Sequence, residues 1–382
     1  MSVDAMFLYG TLRHQPLLDC VAGGSVAVQK AELADHVIAH AVSGAGQVQD
    51  FPLFAPRKGS VARGLLIRPD AAAKARLDAY ERVFGYDPVT VTVATADGPQ
   101  DAAIYLPRAG RWRAGDAWSL NAWVDGPGQL SVEVASEVMA LLEVAAPEAV
   151  FERFRMLENR AASRRRARAR PGPATLRRSV QDGDVLLNAL RRPYTWFFGV
   201  EEADLQFRRF DGTHSDSVTR AGFIMADAVS VLPYDPVRDR VMLVEQFRFG
   251  PYARGDANPW SLEPIAGRID PDETPEQAAR RETREEARLD LRALHPVHRY
   301  YPSPGAITEY LISYVGIAAL PDSAEGVSGL EIEAEDIRAH VIPFERLRAL
   351  MDSGEVENAP LLISAQWLAL NRDSLRDGVG RA

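Results

Sequence analysis

Three glutamates in the second half of the chain have the spacing of a metal site. Glu282, Glu285 and Glu286 stand at i, i+3 and i+4, which places their carboxylates on one face of a helix. Three negative charges this close repel one another unless a cation lies among them, and hard oxygen ligands favour Mg²⁺ or Mn²⁺ over zinc. The plainer interpretation of such a spacing is a solvated acidic face, so the surrounding residues must decide.

The surrounding sequence forms a longer and far more specific pattern. Residues 267–289 read GRIDPDETPEQAARRETREEARL, in which a glycine, a glutamate and an arginine precede the three glutamates at fixed distances. This pattern resembles the Nudix box, whose enzymes hydrolyse a nucleoside diphosphate linked to a second group. Arg281 and Glu273 are expected to pair and to fix the loop against the helix. Two positions depart from the box, since Thr283 replaces an aliphatic residue and Arg288 replaces the glycine that usually ends the helix.

The resemblance implies a role for each carboxylate of the box. Glu282 and Glu286 are expected to bind Mg²⁺ or Mn²⁺ together with the main-chain carbonyl of Ala266. Glu285 is expected to take part in catalysis beside them. The metals would neutralise the pyrophosphate oxygens, orient an attacking water and lower its pKa.

Residues downstream of the box resemble the ADP-ribose pyrophosphatase subfamily. The sequence YPSPGAITE at residues 301–309 is similar to a proline element of that subfamily, with Pro304 and Glu309 as expected substrate contacts. An ordinary Pro-Gly turn is the alternative. Further on, GLEIEAEDI resembles the mobile catalytic loop, in which Glu333 would be the general base and Glu335 would contact a metal.

Two arginines are expected to contact the phosphates of a small nucleoside diphosphate substrate. Arg248 follows the strand-like sequence VEQF and can bind a phosphate through two nitrogens. Arg220 is a second candidate, which would reach a site across a dimer. In this subfamily the N-terminal strands, here around residues 195–210, help to build a homodimer that shares each site. The aromatic side chains of this segment fit such an interface, but they fit the core of one chain equally well.

The first half of the chain carries a different motif. Tyr9, Gly10, Thr11 and Leu12 follow a short strand and form a turn whose backbone N–H groups could hold a carboxylate. Glu81 lies near the end of a predicted helix. This combination resembles the γ-glutamylcyclotransferase-like (AIG2-like) family, in which the turn binds the γ-glutamyl group and the glutamate acts as acid and base. A structural turn and a surface glutamate are the alternative.

These motifs predict an α+β chain of two domains. Residues 1–150 are expected to form a γ-glutamylcyclotransferase-like domain of a β-barrel with helices, and residues 186–382 a Nudix α/β/α sandwich. Residues 151–185 are predicted to be an arginine-rich linker or connecting helix. Nucleic-acid or polyphosphate contact is the sharper alternative, and salt bridges to the acidic domains are a third. The fusion resembles the tellurite-resistance-associated ADP-ribose pyrophosphatases of bacteria, a name that implies a biological setting rather than chemistry on tellurium.

Local periodicity predicts the elements that carry these residues. The strongest helix is expected over residues 274–289, because Thr274 can cap it, Pro275 suits its first position and Gln277 completes a capping box. Strands are predicted over residues 6–9, 64–67, 88–94, 102–106, 228–232, 241–247, 261–265 and 311–317, and further helices over residues 70–80, 132–142, 344–351 and 360–371.

Composition limits the remaining classes of function. The 382 residues contain one cysteine, which excludes an internal disulfide, and no apolar run reaches the ~18–20 residues of a membrane-spanning helix. The first ten residues show no secretory signal, so a cytoplasmic location is expected. The net charge of −9 makes nucleic-acid binding by the whole molecule unexpected. Two alternatives to a pyrophosphatase remain: a nucleotide-sensing regulator that uses the arginine segment, and a bifunctional enzyme whose first half is also active.

Overall fold

The chain divides into two compact units in a computed structural model. The units are Met1–Ala161 and Ala162–Ala382. The structure describes residues 4–107, 110, 112–170, 172–196, 198–328 and 336–379. The border between the units falls inside one helix, Phe154–Ala169, which contains most of the arginine run.

The first unit is built around a closed β-barrel. Its elements are β1 (Met6–Leu8), α1 (Gln15–Ala22), β2 (Val28–Val42), β3 (Val48–Ile67), α2 (Ala71–Val83), β4 (Tyr86–Thr95), β5 (Gly98–Pro107), β6 (Arg113–Ala117), α3 (Leu120–Asp125), α4 (Ser131–Leu141), α5 (Pro147–Phe151) and the first half of α6 (Phe154–Ala169). The residues of α6 from Ala162 onward belong to the second unit. Strand β1 pairs with β3 and, in parallel, with β5. The pairs β3–β2, β2–β4 and β4–β5 complete a ring of five strands, and β6 adds to β2 outside it.

Alternation along β1 separates the two cores of this unit. Phe7 and Tyr9 belong to a cluster drawn from all five barrel strands, which fills the barrel. Met6 and Leu8 face the other way and pack with residues of α1, α2 and α4. The expected barrel with helices is therefore confirmed, and the Tyr9 turn leaves the barrel at the end of β1.

The second unit contains a three-stranded sheet and a larger mixed sheet. Its elements after α6 are β7 (Val185–Thr195), β8 (Gly199–Phe207), β9 (Val218–Ile224), β10 (Ala228–Asp235), β11 (Arg240–Phe247), α7 (Phe249–Arg254), β12 (Trp260–Glu263), β13 (Ile265–Arg268), α8 (Pro275–Ala287), β14 (Ala293–Tyr300), β15 (Leu311–Ile317), β16 (Gly326–Ser328), β17 (Ile337–Pro343), α9 (Phe344–Ser353) and α10 (Ala359–Val379). The larger sheet has the order β14-β15-β10-β11-β17-β16, with β12 on β11 and β13 on β10. Strands β7, β8 and β9 form the separate antiparallel sheet.

The larger sheet is covered by helices on both faces, as a sandwich requires. Val229 and Val231 of β10 lie in a core with residues of α8, while Leu232 and Tyr234 lie in a second core with residues of α9 and α10. This alternation follows the two-residue period of a strand. The expected α/β/α sandwich is confirmed, and α8 alone carries the box glutamates on its face of the sheet.

Two local expectations change in the structure. The strand predicted over residues 261–265 is two strands, because Pro264 offers no N–H to a ladder and β12 and β13 then pair with different partners. The helix predicted over residues 274–289 ends earlier, at Ala287, since Arg288 adopts a left-handed backbone with φ of 55°. Its start is confirmed: Pro275 follows the cap, and the capping box between Thr274 and Gln277 is present.

Candidate active site

Arg281 lies at the centre of the box and joins α8 to the preceding loop. Its Nε and Nη2 donate to the two carboxylate oxygens of Glu273 at 2.8 and 2.9 Å. Nη2 also donates to the main-chain carbonyl of Arg268 at 3.0 Å. The expected Arg281–Glu273 pair is confirmed, and it fixes the loop in the way the sequence predicts. The bond to Glu273, above all, raises the pKa of Arg281, which remains charged.

The same guanidinium also contacts two of the box carboxylates. Nη1 of Arg281 donates to Glu282 at 2.7 Å and to Glu285 at 3.0 Å. The three glutamates differ in exposure, because the side chain of Glu285 is 38% exposed, that of Glu282 is 13% exposed, and Glu286 is buried at 5%. A positive group therefore already lies against two of the carboxylates that were expected to share a cation.

Glu282 approaches the backbone of β13 so closely that only glycine fits beside it. A Cβ added to Gly267 would lie 1.9 Å from the Cδ and 2.0 Å from the Oε1 of Glu282. The neighbouring Ala266 pairs with Ser230 in the β13–β10 ladder. The glycine of the pattern thus has a steric reason, and it lets the Glu282 carboxylate lie against Gly267, the residue that follows Ala266.

The chemistry of these donors fits a hard divalent cation. Glu282, Glu285, Glu286 and the carbonyl of Ala266 offer oxygen atoms alone, as Mg²⁺ prefers. Within the described ranges, no three acidic, histidine or cysteine side chains already have the spacing of a bound metal. Glu282 and Glu285 instead bond to Arg281 there. Glu333 and Glu335, the expected base and further metal contact, lie outside the described residues.

Arg248, the expected phosphate contact, is held by a buried carboxylate. Its Nε and Nη2 donate to the two oxygens of Glu263 at 2.9 and 2.6 Å, and Glu263 is only 5% exposed. Burial raises the pKa of Glu309, the nearby charge of Asp227 raises it further, and Arg268 and Arg248 oppose both effects. Glu309 and Arg248 therefore belong to one cluster of charged groups, together with Arg268 and Asp227.

The proline element is a turn that is bonded to β9. Pro304 lies in the turn that closes when the N–H of Ala306 donates to the carbonyl of Ser303 at 3.0 Å. The next residues bond to Phe223 of β9 in both directions, at 2.8 and 3.0 Å. Arg220 is exposed on the same strand, and its Nη1 donates to the carbonyl of Thr219. Pro304 and Arg220 are thus linked through β9.

The first unit brings together the residues of its own motif. Residues Thr11–Arg13 form one short helical turn, and the N–H of Arg13 closes it on the carbonyl of Gly10 at 3.1 Å. Tyr9 and Leu12 are buried. Burial raises the pKa of Tyr9, and the charges of Tyr86 and Glu81 raise it further. Glu81 of α2 therefore lies close to the turn.

Glu81 is a buried carboxyl group of the first unit with a strongly raised pKa. Burial raises its pKa to about 8, so that the carboxyl can exchange a proton near neutral pH. Sequence reasoning overlooked the residues beside it: Tyr105 donates to Asp78, which also pairs with Lys74 at 3.0 Å. The i, i+3 spacing of Asp78 and Glu81 on α2 was the available signal.

Several arginines of the expected linker are engaged by acidic residues of the second unit. Arg164 pairs with Glu201 at 2.9 Å, and Arg178 pairs with Asp184 at 2.7 Å. Arg166 pairs with the buried Asp227. These ion pairs reduce the positive charge that the segment can offer to a nucleic acid.

Among the described helices, none is long and apolar enough to cross a bilayer.

Comparison with known proteins covers both halves of the chain. The NUDIX domain family matches residues 225–362, and the family described as gamma-glutamyl cyclotransferase, AIG2-like, matches residues 6–125. The ADP-ribose pyrophosphatase of Escherichia coli (strain K12) is 38% identical over 194 residues, which are 51% of this chain and 92% of the relative.

Two further relatives extend this comparison. The ADP-ribose pyrophosphatase of Haemophilus influenzae is 36% identical over 208 residues, which are 53% of this chain and 94% of the relative. The GDP-mannose pyrophosphatase of Salmonella arizonae is 30% identical over 145 residues, which are 38% of this chain and 74% of the relative. The box geometry and these relatives together show that the chain belongs to the Nudix hydrolases. Its first half carries an AIG2-like, gamma-glutamyl cyclotransferase-type domain.

Proposed function

We propose that the second unit hydrolyses the pyrophosphate bond of ADP-ribose to AMP and ribose 5-phosphate, or that of a related nucleoside diphosphate sugar to the nucleoside monophosphate and the sugar phosphate. The observation that carries the proposal is the set of three box carboxylates on α8, with Glu282 pressed against Gly267. The names of the relatives, ADP-ribose pyrophosphatase and GDP-mannose pyrophosphatase, support this class of substrate. Hydrolysis adds one water across the P–O–P bridge and leaves a phosphate on each product.

The metal is proposed to be Mg²⁺ or Mn²⁺, bound by Glu282, Glu286, Glu335 and the carbonyl of Ala266. When bound, it supplies positive charge for the pyrophosphate oxygens and lowers the pKa of water. Glu285 completes the carboxylate set beside it as a catalytic residue. Glu333 is proposed to accept the proton of the attacking water.

Substrate contact is proposed for Arg248, Glu309, Pro304 and Arg220. Two nitrogens of Arg248 donate to Glu263. A diphosphate that binds here must therefore share the guanidinium with the Glu263 carboxylate or displace that carboxylate. Glu309, whose pKa is raised by burial, can stay protonated to a higher pH than an exposed glutamate and then donate a hydrogen bond to substrate. Both groups lie in the cluster described above.

The test is a panel of substrates with purified full-length protein. ADP-ribose, ADP-glucose, GDP-mannose, NADH, diadenosine polyphosphates and 8-oxo-dGTP are incubated with Mg²⁺ or Mn²⁺, and release of the nucleoside monophosphate is followed. We expect ADP-ribose to be cleaved with the highest kcat/KM. Preference for GDP-mannose would keep the substrate among nucleoside diphosphate sugars but replace ADP-ribose as the preferred one. No cleavage of any compound with either metal would refute the proposed hydrolysis.

A homodimer through the second unit is part of the proposal. The sheet β7–β8–β9 carries exposed apolar side chains, among them Val185, Leu187 and Phe207 at 57%, 60% and 40% exposure. Such a surface favours contact with a second copy. Phe198 instead packs inside the chain, with its ring 4.8 Å from that of Phe223. A cytoplasmic location and the tellurite setting stay predictions from the sequence.

A second activity, cyclisation of a γ-glutamyl amine, is proposed for the first unit. The observation that favours it is Glu81, with a pKa of about 8, beside Tyr9 and its turn. The α-amino nitrogen of the substrate attacks the γ-carbonyl carbon, the new C–N bond closes 5-oxoproline, and the old C–N bond breaks. Glu81 accepts the proton lost by the attacking nitrogen and returns it to the leaving amine.

This second activity is tested by product release. A γ-glutamyl amine is incubated with the wild type and with Glu81→Gln, and 5-oxoproline is measured. We expect release by the wild type alone. Equal rates for the two proteins would exclude Glu81 as the acid and base, and no release by the wild type would leave the unit without this activity.

A further inference from the structure

One buried carboxylate of the second unit is bonded to two residues of the arginine-rich helix. Asp227 is 6% exposed, and its two oxygens accept from different residues of α6. Ser163 donates its hydroxyl to Oδ1, and Arg166 donates Nε to Oδ2 at 2.7 Å. A buried carboxylate needs such partners, because an uncompensated charge in the interior is costly. These α6 residues therefore hold the Asp227 carboxylate in its place.

The main chain of Asp227 lies where the loop of the box begins. Its carbonyl accepts from the N–H of Ile269 at 3.1 Å. The next residue, Ala228, pairs with Arg268 in the β10–β13 ladder. The N–H of Ala228 also donates to the carbonyl of Tyr310 at 3.1 Å, directly after Glu309. Asp227 is thus bonded through its main chain to the start of the loop, and the next residue, Ala228, is bonded to the residue after Glu309.

The loop start tolerates little displacement. Gly267 lies two residues before Ile269 and meets the Glu282 carboxylate with no room for a Cβ. The carbonyl of Arg268 accepts from Arg281, which in turn contacts Glu282 and Glu285. A shift of Ile269 away from Asp227 would therefore move the backbone against which these carboxylates are set.

We propose that Ser163 and Arg166 are positioning residues of the Nudix site, which hold Asp227 and, through its carbonyl, the loop start at Arg268 and Ile269. Both lie outside residues 225–362, the part of the chain that matches the NUDIX domain family. Their effect on turnover rests on the proposed hydrolysis, but their effect on the loop does not.

The first measurement is amide hydrogen exchange of the segment that contains Ile269, since it reports the bond to Asp227 without substrate or metal. Arg166→Gln is compared with Arg165→Gln, a matched control that removes the same charge from an exposed position of the same helix. We expect the exchange of this segment to rise about tenfold in Arg166→Gln and to stay unchanged in Arg165→Gln. Segments of α9 and α10 should exchange as in the wild type in both variants, which separates a local effect from general unfolding.

The second measurement is steady-state hydrolysis of ADP-ribose by the same proteins. We expect Arg166→Gln to lower kcat about tenfold with KM within about twofold, because the carboxylates are misplaced while the substrate contacts remain. Arg166→Lys should recover part of the loss. So should the double variant Arg166→Gln with Asp227→Asn, which no longer buries an uncompensated charge.

The outcomes separate this proposal from the proposed function. Unchanged exchange at Ile269 in Arg166→Gln overturns the positioning role, whatever the enzyme does. Increased exchange with an inactive wild type supports the positioning role and refutes the hydrolysis. Increased exchange with unchanged kcat overturns the link from the loop to turnover, and equal losses in Arg166→Gln and Arg165→Gln overturn the assignment to Asp227.

Discussion

The three box glutamates have the same type of side chain but lie in different environments. Glu286 is buried, whereas Glu285 keeps more than a third of its surface in solvent. A buried carboxylate on the catalytic face contributes charge where water screens it least. At the scale of single residues, Glu286 is therefore the sharpest probe of the proposed site.

We expect Glu286→Gln to lower kcat for ADP-ribose by about 10³-fold or more, because the amide cannot replace a charged metal ligand. Glu276→Gln is the matched control, since it makes the same change on the same helix. Glu276 is not one of the box glutamates, and its carboxylate accepts a hydrogen bond from Tyr314. Rates are measured by AMP release, with far-UV circular dichroism of each variant. A Glu286→Gln protein with the wild-type rate would remove Glu286 from the metal site.

Glu81 makes the stability of the first unit depend on pH. Its folded pKa of about 8 lies above the ordinary value of 4.5, so the folded chain retains a proton that the unfolded chain releases between these values. The stability that this residue contributes is fully present below pH 4.5 and is lost as pH rises to 8. Glu81→Gln cannot ionise and should escape this loss.

We therefore expect Glu81→Gln to raise the melting temperature at pH 8.5 and to change it little at pH 5. The measurement is calorimetry of the full chain at the two pH values, with attention to the transition of the first unit. Glu143→Gln, at an exposed glutamate of the same unit, is the control and should show no such pH dependence. An equal change at both pH values would contradict the raised pKa of Glu81.

At the scale of elements, α8 ends on a residue that is poorly suited to its backbone. Arg288 holds a φ of 55°, where glycine is far less strained. We expect Arg288→Gly to stabilise the second unit by up to about 1 kcal/mol, with kcat within about twofold. Arg284→Gly, inside the same helix, should destabilise it by about 1 kcal/mol. Urea unfolding measures both, and destabilisation by Arg288→Gly would show that its side chain outweighs the strain.

The close approach of β13 to α8 leads to a second prediction at this scale. Gly267→Ala would place a Cβ inside the Glu282 carboxylate, so we expect it to lower kcat about 100-fold or more while the chain still folds. Gly250→Ala is the control, because a Cβ there meets no atom within 4 Å. AMP release and circular dichroism follow both variants. A fully active Gly267→Ala would mean that β13 and Glu282 separate readily.

The elements that the sequence predicts best are those with local causes. The capping box of α8 and the Arg281–Glu273 pair join residues within one turn or one short loop, and both are found. Strand β2 escaped prediction, because Asp35 takes a left-handed backbone and the pairing register shifts between Ala34 and His36. That bulge breaks the two-residue alternation by which strands are recognised.

Contacts between distant residues that belong to no motif could not be predicted. Arg166 and Asp227 are 61 positions apart, and neither belongs to a recognisable motif. In the sequence, Arg166 is one of several arginines in a basic run, whereas the structure shows that it serves a buried carboxylate. Composition reports the charge of a segment, but only the fold reports which charges are already neutralised.

For the whole molecule, the main prediction concerns association through β7. Leu187 is 60% exposed on this strand, within the surface proposed to meet a second copy. We expect Leu187→Asp to shift the protein from dimer to monomer in size-exclusion chromatography with light scattering. Leu176→Asp, at a 99% exposed leucine outside the named strands, should leave the mass unchanged. A wild-type protein that is already monomeric would contradict the proposed dimer.

The position of the unit border inside α6 has a consequence for how such a chain can arise and be rearranged. A recombination that joined a new partner at the first residue of the NUDIX match, residue 225, would inherit Asp227 but neither Ser163 nor Arg166. The hybrid would lose both α6 donors that bond to the Asp227 carboxylate. Recombined chains that still fold should therefore keep helix α6 together with the hydrolase domain. The arginine segment would then be inherited as part of the second unit.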